Sequence, residues 1–238
     1  MPDFNFKPLL EYAEKNNIFI PENTVESLTL YGNLLLEWNE KINLTAIKDP
    51  DEIVVKHFID SLSLLKIISP KDGDSLIDVG TGAGFPGMVI KILRPKLNVT
   101  LLDGHAKRFI FLEDLQAKLG IKAENLHIRA ELAAKNIKYR EKFDFATARA
   151  VARLNTLSEY CLPFVKRGGK FVSMKGPTAE EELTEGKKAI ELLGGENLSL
   201  IKENLPMDNT RFFITAEKGK NTPEKYPRAS AKISKNPL

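Results

Sequence analysis

Asp78-Val79-Gly80-Thr81-Gly82-Ala83-Gly84-Phe85-Pro86-Gly87 follows directly on the apolar run Ser75-Leu76-Ile77. An apolar strand that ends in closely spaced glycines is the turn on which an open α/β sheet binds its ligand, at the carboxyl ends of its strands. Glycine lets the backbone turn tightly there and lets a ligand approach closer than a side chain would permit. Working outward, runs of strand character recur at residues 75–80, 98–103, 126–130, 143–150 and 170–176, separated by segments able to hold a helix. That alternation predicts βαβ units and a parallel sheet covered on both faces. Beyond a helix predicted at 180–193, the runs 199–205 and 210–218 are separated only by residues 206–209, too few for a crossover, so the sheet is expected to end in an antiparallel pair.

Asp103 stands 23 residues beyond Gly80 at the end of the second strand, where a carboxylate can accept both hydroxyls of a ribose. The ligand is then a dinucleotide or S-adenosylmethionine. Glycines at 80, 82, 84 and 87 permit the G-x-G-x-x-G spacing of dinucleotide sites. Against that reading, Asp78 lies two residues ahead of Gly80, where it would repel a phosphate but suit a cationic methionine moiety. The acidic-x-Gly-x-Gly-x-Gly form and the terminal antiparallel pair also resemble the class I S-adenosylmethionine-dependent methyltransferases, a Rossmann-like fold.

Before residue 73 the pattern is helical. Leu28, Tyr31, Leu35, Trp38 and Ile42 form one apolar stripe on a helix from about 24 to 41. Asp49-Pro50-Asp51-Glu52 predicts a helix start capped by Asp49, with Glu52 reaching back and the helix running to about Ile68. Three regions result: a helical region 1–72 packed on the core, a Rossmann-like domain 73–218, and a basic, extended tail 219–238.

The 238 residues are 42% hydrophobic and 28% charged, which leaves little room for a fibrous or disordered reading. The single Cys161 allows no internal disulfide and fits a reducing compartment, and His57, His105 and His127 lack ligand spacing, so no metal is expected. Neither a leader nor a membrane span is recognisable, which predicts a cytoplasmic protein. The net charge of +3 hides an asymmetry: residues 1–72 hold 7 Lys against 12 Asp and Glu, leaving +8 for the remainder. Charge concentrated toward the end suits contact with an anion, or a merely solvated tail.

Trp38-Asn39, residues 42–46 (INLTA) and 57–62 (HFIDSL), the loop 78–87, Leu101-Leu102-Asp103 with Lys107-Arg108, Arg149-Ala150, Lys175-Gly176, Tyr226-Pro227-Arg228 and Pro237-Leu238 together resemble the bacterial small-subunit rRNA guanine-N7 methyltransferases, historically glucose-inhibited division protein B. The first and last of these blocks are foreign to methyltransferases at large. The resemblance implies transfer of a methyl group from S-adenosylmethionine to N7 of the 16S rRNA guanine conventionally numbered 527, within the 30S subunit or a precursor, by a monomer. It implies cofactor contacts at Gly80, Phe85, Ala130, Glu131 and Arg149, to which the loop reading adds Asp78, Gly82, Gly84 and Asp103. Arg149 would position the reacting edge, with Lys107, Arg108, Arg153, Lys175 and Arg228 toward RNA. Residues 230–234 (SAKIS) depart from the glycine-containing, more basic form of the family's tail.

Guanine N7 carries an in-plane lone pair and needs no general base, which agrees with a chain that shows no nucleophile–base pair. Cys161 reads as buried packing on a helix, and residues 147–150 (TARA) lack the Asn/Asp-Pro-Pro-aromatic form of amino-group methyltransferases. His57 and Asp60, one helical turn apart, are expected to pair with each other. A nicotinamide oxidoreductase or a non-catalytic RNA-binding factor are the rival classes; the first would bind NAD, and the second has no need of the loop and Asp103.

Overall fold

The apolar stripe of the amino-terminal region buries Leu28, Tyr31 and Leu35 completely, and it forms α2 (Thr24–Asn39) after the shorter α1 (Lys7–Lys15). A computed structural model of the chain describes residues 2–238. Asp49 caps the next segment: its carboxylate accepts the Glu52 N–H at 2.9 Å, and Pro50 takes the first turn, where its missing N–H costs nothing. Glu52 does not reach back to complete a capping box but pairs with Lys56. The expected single helix to Ile68 is instead a composite. It starts as α3 (Pro50–Ile53), widens into a π-helical turn (Val54–Ile59), returns to α-helix as α4 (Asp60–Ser63) and tightens into a 3-10 turn at Leu64–Lys66.

The sheet then builds outward from β1 (Ser75–Val79), through α5 (Gly87–Leu93), β2 (Asn98–Asp103), α6 (Ala106–Leu119), β3 (Glu124–His127) and the single turn α7 (Ala130–Ala133). Its second half comprises β4 (Phe143–Arg149), α8 (Leu154–Cys161), β5 (Val165–Lys175), α9 (Ala179–Leu192), and the hairpin β6 (Gly195–Leu205) and β7 (Asn209–Lys218). The strand order is β3-β2-β1-β4-β5-β7-β6, parallel except that β7 runs antiparallel to both β5 and β6. This is the mostly parallel sheet with a reversed strand that the sequence predicts. The chain leaves β1 toward β2 on one side and returns to β4 on the other, so a crevice opens at the carboxyl ends of β1 and β4. One core, with Tyr31, Phe58, Ile90 and Phe111, lies under the amino-terminal helices, α5 and α6; the other, with Leu157, Phe164 and Ile190, lies under α8 and α9. Each such side chain contributes about 1.5–3 kcal/mol by leaving water.

Residues 219–238 are not a free extended tail. Lys218, itself buried, donates to the Leu162 carbonyl (2.6 Å) and to Thr222 Oγ1 (2.7 Å), and Arg140 donates to the carbonyls of Thr222 and Tyr226. The side chains of Tyr226 and Ile233 are buried, the latter on α10 (Ser230–Lys235), which packs against α8. Charge counting misses this because a buried ring, a buried isoleucine and internal ion pairs hold the segment down. Among the described residues no helix is long and apolar enough to cross a membrane.

Candidate functional site

The glycine loop leaves β1 with its backbone in the left-handed region at Gly80 (φ +73°) and Gly84 (φ +92°), where glycine avoids the Cβ penalty. The N–H groups of Gly80 and Thr81 donate to the Leu102 carbonyl, fixing the loop's entry to β2. Asp78 holds it from beneath: Oδ2 accepts from Thr81 Oγ1 (2.7 Å) and from the Gly87 N–H (2.8 Å). Its Oδ1 is buried without a hydrogen-bond partner, and burial pushes the carboxyl up to about 6.

A cavity of about 470 Å³ opens above the loop. Gly80, Asp103, Ala130 and Glu131, all expected at a cofactor site, wall it together with Arg108 and Val151. Gly82 joins through its N–H, which donates to Asp103 Oδ2 at 3.0 Å. Arg108 stands closer to this cavity than the sequence predicts, because its Nη1 lies 2.6 Å from Asp103 Oδ2. Burial alone would raise the Asp103 carboxyl, but the Arg108 guanidinium, with donors from His105, outweighs it and holds the group below the usual carboxylate range. The lining fits S-adenosylmethionine, with Asp103 at the strand end where a ribose diol donates and the Glu131 carboxylate in the wall, while Asp78, whose Oδ1 is short of a donor, lies beneath the loop and outside the lining.

The other expected cofactor residues, Gly84, Phe85 and Arg149, lie in the packed floor. Phe85 stacks on Tyr31 (centroids 5.0 Å) and on His57 (4.5 Å), with the Arg149 guanidinium 5.1 Å from its ring. The Tyr31 hydroxyl donates to the Ala83 carbonyl. Arg149 donates to Asp60 Oδ2 (2.7 Å), to the Lys56 carbonyl (3.0 Å) and toward His57 Nδ1 (3.2 Å). His57 and Asp60 therefore do not pair with each other as expected; a cation reaching 89 residues along the chain to Asp60 stands between them. Arg211 grips the same carboxylate through Nε (2.5 Å) and Nη2 (2.9 Å), and donates to the Lys175 carbonyl.

Burial, reinforced by Arg149, pushes the His57 imidazole down to about 3. Its ring is expected to stay neutral throughout, so the Cε1–H resonance should not move between pH 8 and about 4.5, a range across which an ordinary histidine titrates near 6.5. A midpoint near 6.5 would contradict the burial of the ring beside Arg149. The sign for stability follows: the unfolded chain takes up this proton below about 6.5 and the folded one does not, so His57 contributes a loss of stability as pH falls from there toward 3.

Of the residues expected toward RNA, Lys107 is exposed beside the cavity mouth. Arg153 binds Glu181 and Glu185 on the surface, and Lys175 pairs with Glu182 (2.6 Å) and donates to the Ala152 carbonyl. Arg153, Lys175 and Arg211 nevertheless wall a second cavity of about 370 Å³ at the carboxyl ends of β4 and β5, separated from the first by Ala150 and Val151. Arg228 lies apart from it, bound to the buried Glu159 through Nε and Nη2 at 2.6–3.0 Å. Cys161 is fully buried and its thiol is pushed up by burial, so it supplies no thiolate. The sequence reading passes over Arg211 and gives Asp60 its anchoring role with the wrong partner, His57; a lone carboxylate in the apolar stretch 57–65 is the one signal that a cation must meet it.

The GidB family, described as rRNA small subunit methyltransferase G, matches residues 24–210. Ribosomal RNA small subunit methyltransferase G of Alkaliphilus oremlandii is 48% identical over 97% of both chains, and that of Acetivibrio thermocellus is 48% identical over 98% of this chain and 96% of its own. Among solved structures, a SAM-dependent O-methyltransferase from Thermotoga maritima aligns with TM-score 0.54 at 18% identity over 79% of this chain and 72% of its own. A predicted O-methyltransferase from Agrobacterium tumefaciens aligns with TM-score 0.53 at 19% identity over 68% and 80%. These two show the fold.

Proposed function

This chain belongs to the GidB family of rRNA small subunit methyltransferases, a class I S-adenosylmethionine-dependent enzyme family, and from that premise we propose that it methylates N7 of the 16S rRNA guanine conventionally numbered 527. The observation that supports this most is identity of 48% along nearly the whole chain, which takes in the helical region 1–72 and the segment 219–238 as well as the domain 73–218. The protein is read as a cytoplasmic monomer that acts on the 30S subunit or a precursor.

Bound S-adenosylmethionine supplies an electrophilic methyl group on a sulfonium. Gly80, Asp103, Ala130 and Glu131 would hold it, with Asp78, Gly82, Gly84 and Phe85 shaping the loop beneath. The N7 lone pair of neutral guanine lies in the ring plane and no proton has to leave, so no side chain needs to act as base. What the protein contributes is alignment and exclusion of water. Arg149 positions the floor through Phe85 and Asp60, while Arg153 and Lys175 face the adjacent cavity, where a flipped-out base would enter. Lys107 extends the basic set assigned to the RNA backbone, whose neutralisation makes binding weaken with salt, whereas Arg108 and Arg228, expected there too, are engaged by Asp103 and Glu159.

Small subunits from cells that lack this protein, incubated with it and tritiated S-adenosylmethionine, should take up label at N7 of that one guanine. Label on another nucleotide would keep the reaction class and overturn the target. No label on naked rRNA, precursor or subunit would overturn the rRNA assignment.

A further inference from the structure

Ser230 of α10 lines the same 470 Å³ cavity as Asp103 and Glu131. It is joined to the cavity wall by Arg129, whose Nη1 donates to Ser230 Oγ at 3.0 Å and lies 3.8 Å from Glu131 Oε1. Behind that contact, Arg228 closes a bidentate ion pair on the fully buried Glu159, and the next residue of α8, Tyr160, itself lines the cavity. Ile233, fully buried, fixes α10 from its other side. These contacts run in one direction, from the body of the domain to the rim of the cavity, and they spend the guanidinium of Arg228 inside the protein.

We propose that the segment Tyr226–Ile233 is a wall of the cofactor site, clamped by Arg228 on Glu159, with Ser230 and Arg129 in contact with bound S-adenosylmethionine. The inference rests on the reading that this cavity is where the cofactor binds. Charge alone would send the segment to RNA, yet of its cations Arg228 is held against a buried carboxylate, and α10 presents its serine to the cavity while Lys232 and Lys235 face solvent. A ligand that touches both the segment and Glu131 stabilises the docked arrangement, and docking raises the ligand's affinity by the same factor.

The test is calorimetric titration with S-adenosylhomocysteine, the demethylated cofactor, alongside filter binding to a 16S rRNA fragment. A chain ending at Ala229 should bind S-adenosylhomocysteine at least tenfold more weakly and rRNA within twofold of the parent. Since that truncation removes Ile233 and can unfold α8, Ser230→Trp serves as the second variant: it leaves the core untouched and should block the cavity, again weakening the nucleoside at least tenfold with Tm unchanged. Unaltered affinity in Ser230→Trp overturns the proposal, as does a truncated chain that loses rRNA but keeps the nucleoside. Asp103→Asn separates the two readings. If it weakens S-adenosylhomocysteine while Ser230→Trp does not, the wall alone is wrong; if neither does, the cavity is not the cofactor site and the wall falls with it.

Discussion

Asp60→Asn is expected to destabilise the protein by about 3–5 kcal/mol, because it leaves two largely buried guanidiniums without their counterion. In a chain of this size that is on the order of 10 °C in Tm, read by calorimetry or circular dichroism. The carboxylate is fully buried and receives three hydrogen bonds from two guanidiniums, Arg149 on β4 and Arg211 on β7. Asparagine keeps the shape and loses the charge, and its amide would turn a donor toward one of the two arginines. Methyl transfer should fall as well, since Arg149 anchors the floor under Phe85. The triple change Asp60→Leu, Arg149→Met, Arg211→Met tests the cause: removing every charge at once should recover much of the Tm, as apolar replacement of buried ion clusters does, while activity stays lost. A Tm for Asp60→Asn within about 2 °C of the parent, less than about 1 kcal/mol, would show that solvent and not the carboxylate balances these cations.

Gly80→Ala is the second large effect, expected chiefly in cofactor affinity. The residue sits at φ +73°, which costs a non-glycine about 1–2 kcal/mol. An alanine Cβ would also lie 2.5 Å from Val151 Cγ2. Val151 is part-exposed on the rim shared by the two cavities, so the clash is relieved by moving the rim and not by unfolding. S-adenosylhomocysteine should bind at least tenfold more weakly in titration, with Tm lowered by a few degrees at most. Adding Val151→Ala should recover the part due to the clash and leave the part due to the backbone. Full recovery would assign the whole effect to the clash, and none would assign it to the turn.

Local rules carry far in this chain. The strand at 98–103 is found as expected, the Asp49 cap forms at its expected N–H, and the gap after Leu205, three residues in the structure, forces the β6–β7 hairpin. The glycine loop is legible for the same reason, since strand, turn and carboxylate lie within 29 residues. What is not legible joins distant segments: Arg149 to Asp60, Arg211 to Asp60 and Arg228 to Glu159 span 89, 151 and 69 residues. Local spacing offers Asp60 only its neighbour His57 and marks nothing at Glu159, so it does not say which of the chain's many cations arrives at either. The segment 219–238 misleads for a related reason. Its prolines and lysines suit a solvated tail, and only the positions of Tyr226 and Ile233 in space show that it has its own share of the core.

The π-helical turn at Val54–Ile59 gives the region a property that no single side chain has. Within it the Lys56 carbonyl accepts Arg149, and the turn sets the angle between His57, against Phe85, and Asp60, against two arginines. One residue of helix is worth about 100° of rotation and 1.5 Å of rise. Deleting Ile59 would return the turn to ordinary pitch and shift the carboxylate relative to both guanidiniums, with His57, Asp60 and both arginines still present. The region can drift in composition, but its length is under a constraint of its own.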